Sequence, residues 1–440
     1  MTEPARATAR RRLGSLLVDP APLRYDRDYR LLWSGQAISV AGRMITAVVL
    51  PYQVYVLTRD VLAVGALSLV QLVPILIFTL GGGAVADAMD RRRLLLITQT
   101  LLAIGTVGLA AVALLEAPPL WAVFALAFVV AGLGSVDQPA RASAIPRLVP
   151  PERLQSAIAL NQLVFNSGAV IGPAIGGIVV ATVGIAAGYA IDAITYLAAI
   201  VALLLMHPIP PAPNAVRPSI AAIVEGLRFA RRRRPVLATF IVDLMAMVFG
   251  SPRSLFPAMA LDVFGVGAAG VGLLSSATAL GAVIASLFAG WTTRVRRQGL
   301  AVLIAVTVWG LGIAGFGLFT FSFPLALLCL AIASGADVFS AVLRSFIVQT
   351  LTPDSLRGRV SSIHILVVTG GPRVGDAEAA AVAALTSPST SVVAGGVLTV
   401  VGAAVLAFAM PEFRDLEVRH EDVVNTARPA NSADAPVADD

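Results

Sequence analysis

Apolar residues along this chain gather into long blocks separated by polar breaks. Twelve blocks reach spanning length, at about 30–57, 62–86, 94–115, 119–140, 154–181, 184–206, 235–261, 268–291, 299–321, 324–348, 360–386 and 390–410. A hydrocarbon core about 30 Å thick takes roughly 20 helical residues at 1.5 Å each, so each block predicts one transmembrane helix. Only one break is long. Residues 207–234 open proline-rich and then place Ile220, Ile223, Val224, Leu227 and Ala230 at helical spacing ahead of four consecutive arginines. That pattern predicts a short amphipathic helix on the membrane surface, with its basic end at the headgroups. The expected organisation is an arm (1–29), a six-helix bundle (30–206), this linker, a second six-helix bundle (235–410) and a tail (411–440). The tail is acidic, rich in Ala and Pro, and expected to be disordered. The fold class is all-α membrane protein.

Charge gives the blocks a topology. The chain has 32 basic residues, all arginine, and 27 of them fall before or at the first residue of the first block, in the even-numbered breaks or in the tail. The odd-numbered breaks hold Arg59 alone. The positive-inside rule places the arginine-rich side in the cytoplasm, with both termini, and predicts a multi-pass cell-membrane protein. The net charge of +6 then reflects topology and anionic headgroups rather than a nucleic-acid partner. A chain without lysine cannot carry a P-loop, so no nucleotide is expected as partner, and it cannot form a lysine Schiff base. The single cysteine, Cys329, and the scattered His207, His364 and His420 offer no metal-ligand spacing. The apolar piece after residues 10–12 is too short for a secretory signal, so the arm is expected to stay uncleaved. No cofactor is expected and the chain is not expected to be an enzyme.

The halves read as copies. Val64-Gly65-Ala66-Leu67-Ser68 recurs 207 residues later as Val271-Gly272-Leu273-Leu274-Ser275, and Gly83 maps onto Gly290. At an offset of 203, Arg141, Leu148, Pro150, Gly168 and Gly172 map onto Arg344, Leu351, Pro353, Gly371 and Gly375. Parallel six-helix repeats about an axis along the membrane normal describe a major-facilitator transporter, with the substrate site near the midplane and access alternating between faces.

The break after the second block, Gly83-Ala84-Val85-Ala86-Asp87-Ala88-Met89-Asp90-Arg91-Arg92, resembles the major-facilitator loop signature. An acid and arginines in a tight turn can latch neighbouring helix ends and release when the halves rock. Ala88 and Asp90 depart from the usual basic residue and glycine, and Arg294 stands where the second half should repeat Asp87. In the fifth block, Gly168-x-x-x-Gly172-Pro173-x-x-Gly176-Gly177 resembles the facilitator antiporter signature, with Ala159 in place of one of its glycines. Small residues at i, i+4 and i+8 make a smooth face for close backbone packing, and Pro173 frees a carbonyl. Leu50-Pro51-Tyr52-Gln53-Val54, the stretch around Pro146-Arg147-Leu148-Val149-Pro150 with Asn161-Gln162, Glu225-Gly226-Leu227-Arg228-Phe229 and Leu356-Arg357-Gly358-Arg359-Val360 add to the likeness. Over residues 25–412 the chain resembles the third drug:proton antiporter family, whose members export siderophores, macrolides and tetracycline. The resemblance implies export of a drug-like amphiphile or siderophore, energised by the proton gradient. A lysophospholipid transporter of the same fold is the alternative.

Charges inside the bilayer cost about 2.5–3.5 kcal/mol each at a helix centre, so each is a candidate functional group. Arg43 and Asp337 both lie near mid-depth of their blocks, and a pair between them is open. Asp337 is the candidate proton or cation site, with structural pairing to an arginine as its rival. Arg43 and Arg253 are candidates for an anionic substrate, or for pairing with Asp337 or Asp243. Asp137 is expected to bridge to Arg91 or Arg92 in the loop latch. Arg141 and Arg344 are expected to serve helix dipoles or to snorkel. Arg373 and Asp376 stand at i, i+3 and could pair on one face, with Glu378 close by; whether this set binds substrate or only itself is open. Asp192 reads as a hydrogen-bonded structural carboxylate. The expected partners are lipid, a small molecule and protons, and the expected unit is a monomer.

Overall fold

The computed structural model describes residues 19–210 and 220–417. The remainder of the arm, the first part of the linker and the end of the tail lie outside the described residues, as do the side chains of 79–88, which include Gly83 and Asp87. Twelve long helical elements follow one another: α1 (Arg27–Thr58), α2 (Val61–Ala88), α3 (Arg91–Ala113), α4 (Leu120–Leu148), α5 (Pro151–Thr182), α6 (Ile185–Leu204), α7 (Arg234–Val263), α8 (Gly267–Thr292), α9 (Gln298–Leu318), α10 (Phe323–Leu351), α11 (Asp354–Leu385) and α12 (Pro388–Ala409). Eleven are long and apolar enough to cross a membrane; α11 is the exception, diluted by Arg357, Arg359, Arg373, Asp376 and Glu378.

Helix ends follow local rules. Asp90 caps α3 by accepting from the Arg93 N–H at 2.9 Å, and Ser387 caps α12 by accepting from Thr390. Gly184 joins α5 to α6 at φ 111°, a conformation a side chain would oppose. The helix Ile220–Arg232 fills the second part of the linker, with Ala230 buried and Glu225 paired to Arg359 of α11.

Polarity is arranged for lipid. Large apolar side chains such as Trp121, Phe321, Leu385 and Phe408 are exposed, whereas Asp137, Asp192 and Asp243 are fully buried. In water the first set would be a standing liability. Against hydrocarbon it costs nothing, and the carboxylates need internal partners.

Contacts divide the chain into two compact units: Met1–Leu50 with Ile77–Val216, and Pro51–Leu76 with Arg217–Asp440. In the first, the glycine face of α5 lies on α1: a side chain at Gly168 would meet Val40 at 2.6 Å, and one at Gly172 would meet the Ala41 carbonyl at 2.9 Å and the Met44 side chain. In the second, Gly371 and Gly375 of α11 lie in the same way on Met247 and Val248 of α7. Met247 follows Met44 by the same 203 residues that separate the glycines, so each unit uses the spacing for the same contact.

Two expectations change. α7 is not continuous: it breaks after Phe249 and resumes as a 3-10 turn from Arg253, because Pro252 has no N–H to donate and its ring opposes the preceding turn. The tail does not begin at 411 as disordered chain. Pro411–Arg414 forms a helical turn with Phe413 buried, and Arg234 pairs with Glu412 at 3.2 Å.

Candidate functional site

In the first unit α4 carries Asp137 to the centre of the helices with no exposure at all. Its carboxylate accepts from Thr98 at 2.9 Å and from the Gln99 amide at 2.8 Å, both on α3. Arg141, one turn later on α4, reaches it at 3.3 Å, and Arg43 of α1 at 3.9 Å. Two guanidinium groups thus share one carboxylate. The Arg43 guanidinium also lies 6.0 Å from the Phe165 ring of α5, and its Nε and Nη2 donors are buried without a hydrogen-bond acceptor. Gln36, seven residues earlier on the same face of α1, likewise has a buried amide nitrogen with no acceptor.

These positions correct the sequence reading. Asp137 belongs to this central cluster and not to the loop latch. Arg92 instead donates to the carbonyls of Leu203 and Leu204, both at 2.7 Å, at the end of α6. The Arg91 backbone N–H donates to Ile209, and its side chain is buried. Arg141 neither caps a helix nor snorkels, being 3% exposed and ion-paired. Asp192 accepts from Thr46 at 2.5 Å.

In the second unit Arg344 of α10 takes the centre. Its Nη2 lies 2.8 Å from Asp243 of α7 and 3.5 Å from Asp337 of α10, and its Nη1 donates to Ser340 at 2.7 Å. Here one guanidinium is shared by two carboxylates, the reverse of the first unit. Arg141 and Arg344 are repeat equivalents, but their acids are not: Asp137 maps onto Ser340, and Asp243 onto Val40. Arg253, displaced by the break in α7, lines an open cavity of about 490 Å³ together with Asp337, Ser251, Thr278, Trp309 and Ser334.

The charges of α11 do not pair with each other. Asp376 accepts from the Ser254 N–H at 2.9 Å and from the Ser68 hydroxyl at 3.0 Å, while Arg373 donates to the Gln71 side chain at 2.6 Å. Helices α2 and α11 meet closely enough that a side chain at Gly65 would lie 2.5 Å from Ala380. Glu378 is half-buried. Nearby, Tyr55 of α1 and Arg59, just past its end, hold Asp262 of α7. The sequence reading missed Gln36, Gln71 and the Asp262 contacts. Gln36 was within reach, since it stands two helical turns before Arg43.

The glycine contacts carry a direct test. Gly172→Val drives two methyl groups into the Met44 side chain and the Ala41 carbonyl, overpacking that costs about 1–3 kcal/mol. The expected result is a lower melting temperature and transport reduced severalfold; wild-type values for both remove the α1–α5 contact from the account.

A family model described as a transmembrane secretion effector of the major-facilitator type matches residues 19–434. The chain belongs to this family. It is a multi-pass membrane transporter and not an enzyme. An enterobactin exporter, EntS, of Shigella boydii serotype 18 is 29% identical over 406 residues, covering 91% of this chain and 96% of that protein. EntS of Escherichia coli O81 is 28% identical over the same coverage. Among solved structures, a bacterial homologue of the human lysosomal transporter Spinster aligns with a TM-score of 0.69 at 16% identity, over 89% of this chain and 98% of its own. A bacterial homologue of the iron transporter ferroportin aligns with a TM-score of 0.66 at 14% identity, over 89% and 99%. These last two show the twelve-helix major-facilitator fold alone.

Proposed function

We propose that this chain exports a siderophore-type amphiphile bearing anionic oxygens, with protons moving the other way and access alternating between the faces. Its arginine-rich face and both termini lie in the cytoplasm, the protein works as a monomer, and the proton gradient is its only energy source. One observation carries the substrate class. Arg43 holds two buried N–H donors with no acceptor, beside an aromatic ring and a carboxylate already shared with Arg141. Buried donors left unmade cost about 1–3 kcal/mol each, more when charged, so the site is built for a ligand that supplies acceptors. Catecholate or carboxylate oxygens do so, and the Phe165 ring offers such a ligand an apolar face. The likeness to enterobactin exporters points to the same class.

Proton drive draws on the second unit, where buried Asp243 and half-buried Asp337 compete for one arginine. The test is accumulation of a catecholate siderophore in proteoliposomes under an imposed pH gradient. Severalfold accumulation, collapsed by a protonophore and with KM raised about tenfold in Arg43→Gln, is the expected result. Accumulation of lysophospholipid but not siderophore would replace the substrate class. Transport indifferent to the protonophore would remove the proton.

A further inference from the structure

We infer that the second unit carries its own proton path, in which Asp337 and Asp243 alternate as the partner of Arg344 and His364 receives the proton on the arginine-rich side. This rests on the proton-driven reading above and adds to it a route and an exit group. Two cavities that share no lining residue meet the Arg344 cluster from opposite directions. One, about 490 Å³, holds Asp337 and Arg253 and is lined by the later part of α7 and the earlier part of α10. The other, about 400 Å³, holds Asp243, Arg344 and His364 and is lined by the start of α7, the end of α10 and the start of α11. Chain direction therefore puts the second cavity toward the arginine-rich ends. Both cavities carry polar side chains among an otherwise apolar lining, the first Ser251, Thr278 and Ser334, the second Thr239, Gln349 and Ser361. The cluster between them closes the path.

Two carboxylates compete for Arg344, with Arg253 a second cation across the first cavity from Asp337. A proton on either acid leaves Arg344 to the other. The charged or titratable groups facing the pair are Arg253 of α7, Arg344 of α10 and His364 of α11; α8 and α9 bring Thr278 and Trp309 to the Asp337 cavity and no charge. Arg344 stands closer to Asp243, at 2.8 Å, than to Asp337, at 3.5 Å, so the proton belongs on Asp337 in this arrangement. Hydronium in the first cavity gives its proton to a carboxylate oxygen of Asp337 and leaves as water. When the helices shift and Arg344 draws toward Asp337, that O–H bond breaks and one forms on Asp243, through a water spanning oxygens that share one guanidinium nitrogen. Asp243 then passes the proton to the His364 imidazole, a group suited to taking and releasing protons near neutral pH, and from there to water.

The experiment records proton movement with pyranine in proteoliposomes as substrate is added, from about pH 5 to 8, the range over which an ordinary imidazole changes charge. A wild type that moves no protons ends the proton-driven reading itself. Given a wild type that does, Asp243→Asn should lose about tenfold or more of its coupled proton movement, with Asp243→Glu restoring part of it. His364→Gln should lose about tenfold of its coupled proton movement and change the shape of the pH profile. A His364→Gln profile superimposed on the wild type, or undiminished coupling in Asp243→Asn, overturns the path. His364 is only partly buried and faces a cavity, so the histidine variant decides the matter even where the aspartate variant misfolds.

Discussion

Asp137→Ala should destabilise the protein by about 3–5 kcal/mol, the cost of leaving buried charge without its counter-ion. The carboxylate is fully buried and serves Arg43, Arg141, Thr98 and Gln99 together, so its removal strips four donors at once. Hydrocarbon surrounds these helices, and water cannot enter cheaply to replace what is lost. The readout is thermal unfolding of the detergent-purified protein, with Asp192→Asn as comparison. Asp192 is held by hydroxyls, Thr46 above all, and an amide can keep those contacts, so its change should be about 1 kcal/mol or less. If the two variants melt together, the first-unit cluster is not the ion-paired centre described above.

Arg344→Gln should be as damaging, again by about 3–5 kcal/mol, because Asp243 and Asp337 then face each other with no cation between them. The instructive variant is the double one. Arg344→Gln with Asp243→Asn removes one charge of each sign and should recover more than half of the lost stability, while coupled transport stays absent. A double variant no more stable than the single one denies that the two side chains act as a pair. Recovered transport would show that the pair serves folding alone.

Much of the membrane architecture was legible beforehand. Long apolar blocks, arginine in alternate breaks and a 203-residue offset in glycines specify twelve crossings and a duplicated packing plan. Each follows from the bilayer: backbone must be helical in hydrocarbon, arginine resists translocation, and close helix contact needs small residues. The packing of Gly168 and Gly172 on α1, echoed by Gly371 and Gly375 on α7, is that plan expressed.

Partnership among the charges was not legible. Asp137 and Arg91 are both near the α4 and α3 ends in sequence terms, yet Asp137 turns to Arg43 and Arg141 while Arg91 is buried elsewhere. Arg373 and Asp376 stand at pairing distance along α11, yet each finds a partner on another helix, Gln71 or Ser68 and Ser254. Periodicity states which face of a helix a residue occupies but leaves open which helix that face meets.

The sequence by itself determined that this protein is a duplicated helical membrane transporter, because hydropathy, arginine placement and small-residue spacing are local quantities that the bilayer reads one segment at a time. Only the tertiary structure decided that two arginines share an acid in one unit while two acids share an arginine in the other. A buried charge takes whichever opposite charge the crossing of helices brings within a few ångströms, and crossings are set by packing over the whole chain.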